Sequence, residues 1–226
     1  MNLTVLEREK RNFAAGGIYM LESGLFSILL LGFTLGIKHS TEPDHIIAVS
    51  TIASQTKRLV RSSLSGVFWG LGHTLMLLLI GVTVIALNQH IPGPLALSLE
   101  MAVGIMLIYL GFTGFKDNKQ LRPNTQHYHK KSFIIGGIHG LAGSAALVLL
   151  TTAQAQTELQ AFLFILIFGA GTIIGMLLFT TVLGLPFLIT SQAQKKIHSN
   201  LIRISSAASV LYGVYYIFEV GSDLFL

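Results

Sequence analysis

Two histidines, an aspartate, a glutamate and a lysine crowd one short stretch, Gly36-Ile37-Lys38-His39-Ser40-Thr41-Glu42-Pro43-Asp44-His45-Ile46. The segments on either side, Ser23 to Leu35 and Ile46 to Ala53, are almost wholly apolar. Ionisable groups at bilayer depth are costly, so a cluster of them marks a functional site rather than a structural ornament. Imidazole nitrogen and carboxylate oxygen together suit nickel, cobalt, zinc and other borderline divalent metals. His39, Asp44 and His45 are therefore the first candidate metal ligands.

Their spacing carries a structural requirement. On an unbroken helix only residues three or four apart share a face. His39 and His45 are six apart, and His39 and Asp44 five apart, so on a continuous helix they would diverge. Pro43 changes this, because it lacks a backbone N–H and pushes Glu42 out of the α region. The helix is expected to break between His39 and Pro43, with Pro43 in the first turn of a second half-helix. Such a break frees backbone carbonyls, which bilayer depth tolerates only when they are buried in protein or line a cavity. A cation held by His39, Asp44, His45 and those carbonyls would satisfy them. Glu42 and Asp44 would sit at the positive end of the second half-helix, which favours their ionised forms, and Lys38 is placed to pair with one of them.

A fourth ligand comes from Trp69-Gly70-Leu71-Gly72-His73-Thr74. Gly70 and Gly72 remove side-chain bulk and allow close approach to a neighbouring helix, leaving His73 to point a ring nitrogen into the gap. His139 is a secondary candidate, with a helix–helix hydrogen bond as its alternative role. Glu42 and Thr74 are further secondary candidates, and Thr74 and Thr172 could hydrogen-bond to the ligands from behind. His127 and His129 read as residues of a solvated loop that could pre-bind metal, His90 and His198 as interfacial. Tyr212, Tyr215 and Tyr216 fit an aromatic belt or helix packing.

The elements that must position these groups are membrane spans. Of the 226 residues 52% are hydrophobic and 11% charged, with a mean hydropathy of +0.68, whereas soluble domains carry roughly a quarter charged residues. The fold class is therefore an all-α polytopic membrane protein of one transmembrane domain, its partner the lipid bilayer. Six apolar spans are legible: 18–37 resuming at 43–54, then 62–87, 95–115, 133–153, 159–188 and 204–221. Each reaches the roughly 20 apolar residues that a crossing needs. With no cysteine, disulfides, thiolate zinc sites and iron–sulfur clusters are excluded. The net charge of +5 resides in short connecting loops, so no nucleic-acid partner is implied. Met1 to Arg11 is followed by no small-residue cleavage site and is not read as a removed signal peptide.

Lysine and arginine are distributed unevenly. Loops one, three and five carry Lys57, Arg58 and Arg61; Lys116, Lys119, Arg122, Lys130 and Lys131; and Lys195, Lys196 and Arg203; loops two and four carry none. The bias places the basic loops in the cytoplasm and both termini outside. An internal repeat is also visible. Gly36-Ile37-Lys38-His39 followed by Ala48 to Ala53 resembles Gly136-Gly137-Ile138-His139 followed by Val148 to Ala153, at an offset of 100 residues. Gly70 to Thr74 likewise resembles Gly169 to Ile173. The units would be 18–115 and 133–221, joined by a cytoplasmic loop at 116–132. Three spans per unit force the copies into opposite orientations, the inverted-repeat plan of many secondary transporters.

Lys38 to Ile46, with a His, four residues, then Asp-His, resembles the signature of the nickel/cobalt transporter family. Leu71-Gly72-His73-Thr74 resembles that family's second motif. The Glu-Pro-Asp-His form and the short length are similar to its UreH-like branch. The resemblance covers the first two spans by motif and the rest by layout. It implies a bacterial plasma-membrane permease for Ni²⁺ or Co²⁺, with His39, Asp44, His45 and His73 essential. The chain lacks the extra spans and later acidic motifs of larger members; Gly169 to Thr172 contains no Asp or Glu.

Together these readings predict a permease for a divalent transition metal, most readily nickel, with no prosthetic group and no enzymatic activity, and a homo-oligomer compatible with the sequence. Uptake should fall as acid protonates the histidines. There is no Walker motif, so transport would be secondary or driven by membrane potential. Two rivals remain. An intramembrane zinc hydrolase would use Glu42 as base, although no HExxH is present. A metal-binding accessory protein or sensor would hold the ion without flux.

Overall fold

The computed structural model describes residues 24–54, 58–87, 89, 91–117 and 125–225. The amino-terminal end of the first expected span, Lys57, His90, Lys119, Arg122 and the His127 side chain lie outside what is described. Seven helices make up the described chain: α1 Gly24–His39, then α2 Pro43–Ser54, α3 Leu59–Ala86, α4 Gly93–Asp117, α5 Thr125–Gln154, α6 Glu158–Ala193 and α7 Lys195–Phe225. Five of them are long and apolar enough to cross a membrane, and α1 with α2, bent by 57° at their junction, make a sixth crossing if counted as one span. Large apolar side chains cover the outside, among them Phe218, Val60, Leu211 and Leu149, as a surface solvated by lipid requires.

The helices outrun the apolar spans that mark them. α5 begins at Thr125, inside the segment expected as loop, and α7 begins at Lys195 rather than Ile204. The expected basic loop at 191–203 shrinks to a break at Gln194. Hydropathy reports contact with lipid, whereas backbone hydrogen bonding continues into the interfacial region wherever residues such as Lys195, Lys196 and Lys130 are good helix formers. The start of α6 is fixed locally. The Thr157 hydroxyl accepts from the Gln160 N–H at 3.2 Å as an N-cap, and Gln160 Oε1 reaches back to accept from the Gln156 N–H at 2.8 Å, one residue before the cap.

α3 is the central helix, packed along both α5 and α6, while α4 packs along α7 and α2 bridges to α4, α6 and α7. Glycines set the closest crossings. A Cβ on Gly72 of α3 would lie 2.9 Å from the Phe133 carbonyl carbon and 3.0 Å from the Gly137 nitrogen of α5, and one on Gly136 would lie 2.8 Å from the Trp69 carbonyl carbon. At the crossing of α1 with α6, a Cβ on Gly36 would lie 2.9 Å from the Phe168 carbonyl carbon, and one on Gly171 3.1 Å from that of Phe33. Only hydrogen in place of Cβ permits backbones this close. Each contact at one crossing thus has a counterpart, about 100 residues away in sequence, at the other.

Candidate metal centre

The break comes where Pro43 predicts it. α1 ends at His39, Ser40 to Glu42 form a turn, and α2 opens at Pro43. The carbonyls at the end of α1 are nevertheless not free. Gly36 O accepts from the Ser40 N–H, Lys38 O from the Thr41 N–H and His39 O from the Glu42 N–H. The Ser40 hydroxyl donates to Ile37 O and the Thr41 hydroxyl to Lys38 O, both at 2.6 Å. The expectation of free carbonyls is therefore corrected: Ser40 and Thr41 cap the half-helix from within the turn, and the buried donors without partners at the site are imidazole nitrogens. Nor does Lys38 form an ion pair among the described residues; Glu42 turns instead to His39, its Oε2 2.9 Å from Nδ1.

The bend brings together what helical spacing would separate. The rings of His39 and His45 lie 4.6 Å apart, centroid to centroid, in edge-to-face orientation. α3 delivers His73 between them, with its Nε2 3.2 Å from His39 Nε2 and its ring 5.4 Å from that of His45. Each of the three rings offers a nitrogen to a common space, the three atoms within 4.8 Å of one another. Ligands about a tetrahedral ion with bonds of about 2.1 Å are about 3.4 Å apart, so the His39–His73 pair already has the required separation.

α5 adds His139, which sequence reasoning ranked only as secondary. Its Nε2–H donates to Asp44 Oδ2 at 2.9 Å, and its ring lies 4.0 Å from that of His45. Asp44, His45 and His139 make a second group of three potential ligand atoms within 4.8 Å of one another, sharing His45 with the first. Asp44 Oδ1 also accepts from the His45 backbone N–H at 2.9 Å and lies 3.2 Å from its ring Nδ1. With Asp44 ionised, the carboxylate can only accept. Both rings then donate to it, which leaves His45 Nε2 and His139 Nδ1 as lone pairs. Those two atoms and His73 Nδ1 are buried without a hydrogen-bond partner, an arrangement that a folded chain normally avoids. The signal that could have promoted His139 was the 100-residue offset that makes it the counterpart of His39.

Thr74 and Thr172 use their hydroxyls on backbone carbonyls. The Thr74 hydroxyl donates to Gly169 O at 3.2 Å, and that of Thr172 to Gly36 O at 3.3 Å and Phe168 O at 3.0 Å. They tie α3 and α1 to α6. His129 packs against Phe68 with ring centroids 4.7 Å apart, Tyr212 stacks on Tyr216, and both tyrosines pack against the main apolar core.

A cavity reaches the cluster from the side of His39. It has a volume of about 180 Å³ and is lined by Lys38, His39, Glu42, Leu77, Leu147 and Phe168, among others. Its lining extends from the cluster along α3, α5 and α6 toward the loops that follow α3 and α5. His39 opens onto it with 18% of its side chain exposed, whereas His45 and His73 are fully buried and His139 nearly so. In the opposite direction Trp69, whose ring centroid lies 6.2 Å from that of His45 and 5.8 Å from that of His139, joins Ile135, Ala48 and Ile52 in a closed apolar core.

Fold and site together define a multi-pass α-helical membrane protein with a buried imidazole–carboxylate cluster suited to a borderline divalent metal. The family model for the high-affinity nickel-transport protein matches residues 25–113, which include His39, Asp44, His45 and His73. The urease accessory protein UreH of Bacillus sp. (strain TB-90) is 46% identical over 213 residues, covering 87% of this chain and 93% of that protein. The chain belongs to this nickel-transport family. More distant similarity links it to two Arabidopsis thaliana chloroplast proteins, FOR GROWTH AND FERTILITY 1 and 2, at 21% and 23% identity. The chain covers 85% and 76% of its own length in those matches but only 59% and 50% of theirs. No solved structure matches the chain.

Proposed function

We propose that this protein is a permease for nickel, with cobalt as the nearest competitor, and that His39, Asp44, His45 and His73 form its ion-binding site. The observation that carries the reading is the convergence of buried, partly unpartnered imidazoles next to Asp44, at the break between α1 and α2 and midway along α3 and α5, beside a cavity. Nitrogen donors with a single carboxylate favour Ni²⁺, Co²⁺ and Zn²⁺ over Mg²⁺, Ca²⁺ and Mn²⁺. The hydrated ion enters through the cavity, meets His39 and Glu42 at its inner end, and exchanges water for imidazole. Loops two and four, on the cavity side, carry no Lys or Arg, so the positive-inside bias puts that side and both termini outside the cell. Paired glycine crossings between α1 and α6 and between α5 and α3 support two inverted three-helix units that rock about the site. A divalent ion crossing about 100 mV of inward-negative potential gains about 4.6 kcal/mol, enough to drive accumulation without ATP. The name of the 46% identical relative supports a role in supplying metal to an enzyme of the urease kind.

The test is uptake of radiolabelled Ni²⁺ into proteoliposomes, wild type against His45→Ala, with Co²⁺, Zn²⁺ and Mn²⁺ as competitors. Saturable uptake that His45→Ala abolishes, and that Co²⁺ inhibits far better than Mn²⁺, is the expected result. Stoichiometric metal binding without flux would transfer the function to a non-transporting accessory protein.

A further inference from the structure

His45 belongs to two groups of potential ligands, and the two differ in where they face. In the trio His39, His45 and His73, His39 lines the cavity and His45 and His73 are buried behind it. None of the trio Asp44, His45 and His139 lines that cavity, all three residues are at 9% exposure or less, and the ring of Trp69, part of the closed core, lies 5.8 Å from that of His139. His39 and His139 occupy matching positions in the two halves of the chain, 100 residues apart. In an inverted repeat, the element that serves one membrane face in one half has its counterpart serving the other face in the second half.

We propose that the two trios are successive stations for the transported ion: His39, His45 and His73 receive it from the cavity side, and His139 with Asp44 and His45 holds it for release toward the basic-loop side. This rests on the permease reading above and deepens it by giving His139, which lies outside the matched residues 25–113, a place in the path. His45 is the shared ligand, so the ion changes partners without leaving the protein. The stations are mutually exclusive, and one ion is bound per chain. The carboxylate in the inner station offsets ionic charge at a point removed from the cavity lining. Release requires the Trp69 core to open while the cavity closes, the mirror image of the state described here.

The variant that tests this is His139→Gln, whose side-chain amide keeps an N–H for Asp44 to accept but removes the imidazole. Three measurements are made on purified protein and proteoliposomes: Ni²⁺ affinity by competition with a chromophoric chelator, the visible spectrum of the Co²⁺-loaded protein, and Ni²⁺ flux. His139→Gln should bind Ni²⁺ within about threefold of wild type, keep the Co²⁺ spectrum of the outer station, and lose about tenfold or more in flux. His39→Ala should instead lose about tenfold or more in affinity. An affinity loss in His139→Gln equal to that of His39→Ala would overturn the proposal in favour of one undivided site. Unchanged flux in His139→Gln would remove His139 from the path and overturn it as well. Wild-type protein that binds no Ni²⁺ would refute the permease reading itself, a result distinct from both.

Discussion

Replacing Gly72 by alanine should weaken metal binding without touching any ligand. The added Cβ would lie 2.9 Å from the Phe133 carbonyl carbon and 3.0 Å from the Gly137 nitrogen. Carbon atoms in contact prefer about 3.5–4.0 Å, and the Phe133 carbonyl oxygen lies closer still, so α3 and α5 must move apart by at least about 0.6–1 Å. Both neighbours are backbone atoms of a helix and cannot swing aside as a side chain could. His73 is the next residue on α3, and His139 lies two residues beyond Gly137 on α5, so the shift enters the cluster almost undiminished. Binding constellations tolerate about 0.5 Å of misplacement, and loss of ligand positioning typically costs about 10–100-fold in metal affinity. Overpacking should also lower stability by about 1–3 kcal/mol. The assay is chelator competition for Ni²⁺ on detergent-purified protein, with a thermal melt in parallel. Gly221→Ala is the control: in α7 a Cβ there meets nothing within 4 Å, so affinity should hold and helix propensity gain up to about 1 kcal/mol. A Gly72→Ala protein within twofold of wild-type affinity would refute the argument that glycine contact sets the position of His73.

Asp44→Asn should lower Ni²⁺ affinity by about 10–100-fold, because the amide nitrogen would face a ring N–H that the carboxylate now accepts and so disturb the tautomers of His45 and His139; chelator competition reads it directly. Thr172→Val removes the hydroxyl bonds to Gly36 O and Phe168 O and should cost about 1 kcal/mol of stability, visible as a lower melting temperature, with affinity within about threefold of wild type. Lone pairs on imidazole bind the ion and protons compete for them, so affinity should fall as pH drops from about 7.5 to about 5. Binding that is flat over that range would argue for carbonyl or carboxylate ligands instead.

Much of this was written in local sequence. The break at Ser40 to Glu42 follows from Pro43, because its missing N–H and the strain it puts on Glu42 act over a few residues whatever surrounds them. Membrane character, the connecting loops and the glycine setting of His73 are equally local. Helix ends were less legible, since Lys195 and Thr125 are polar residues that extend a helix as readily as they end an apolar span. The choice of ligands depended on distance in space. That Ser40 and Thr41 would satisfy the carbonyls of α1 depends on the detailed turn, and that His39 and His45 would meet depends on a 57° bend. The pairing of His139 with Asp44 joins residues 95 apart through the packing of α2, α3 and α5, which no local rule encodes. By itself, then, the sequence determined that a broken membrane helix would carry metal-binding residue types. Tertiary structure decided which of them converge, which are turned to a cavity and which to a closed core, because convergence is set by helix crossings that glycines permit and only the assembled bundle positions.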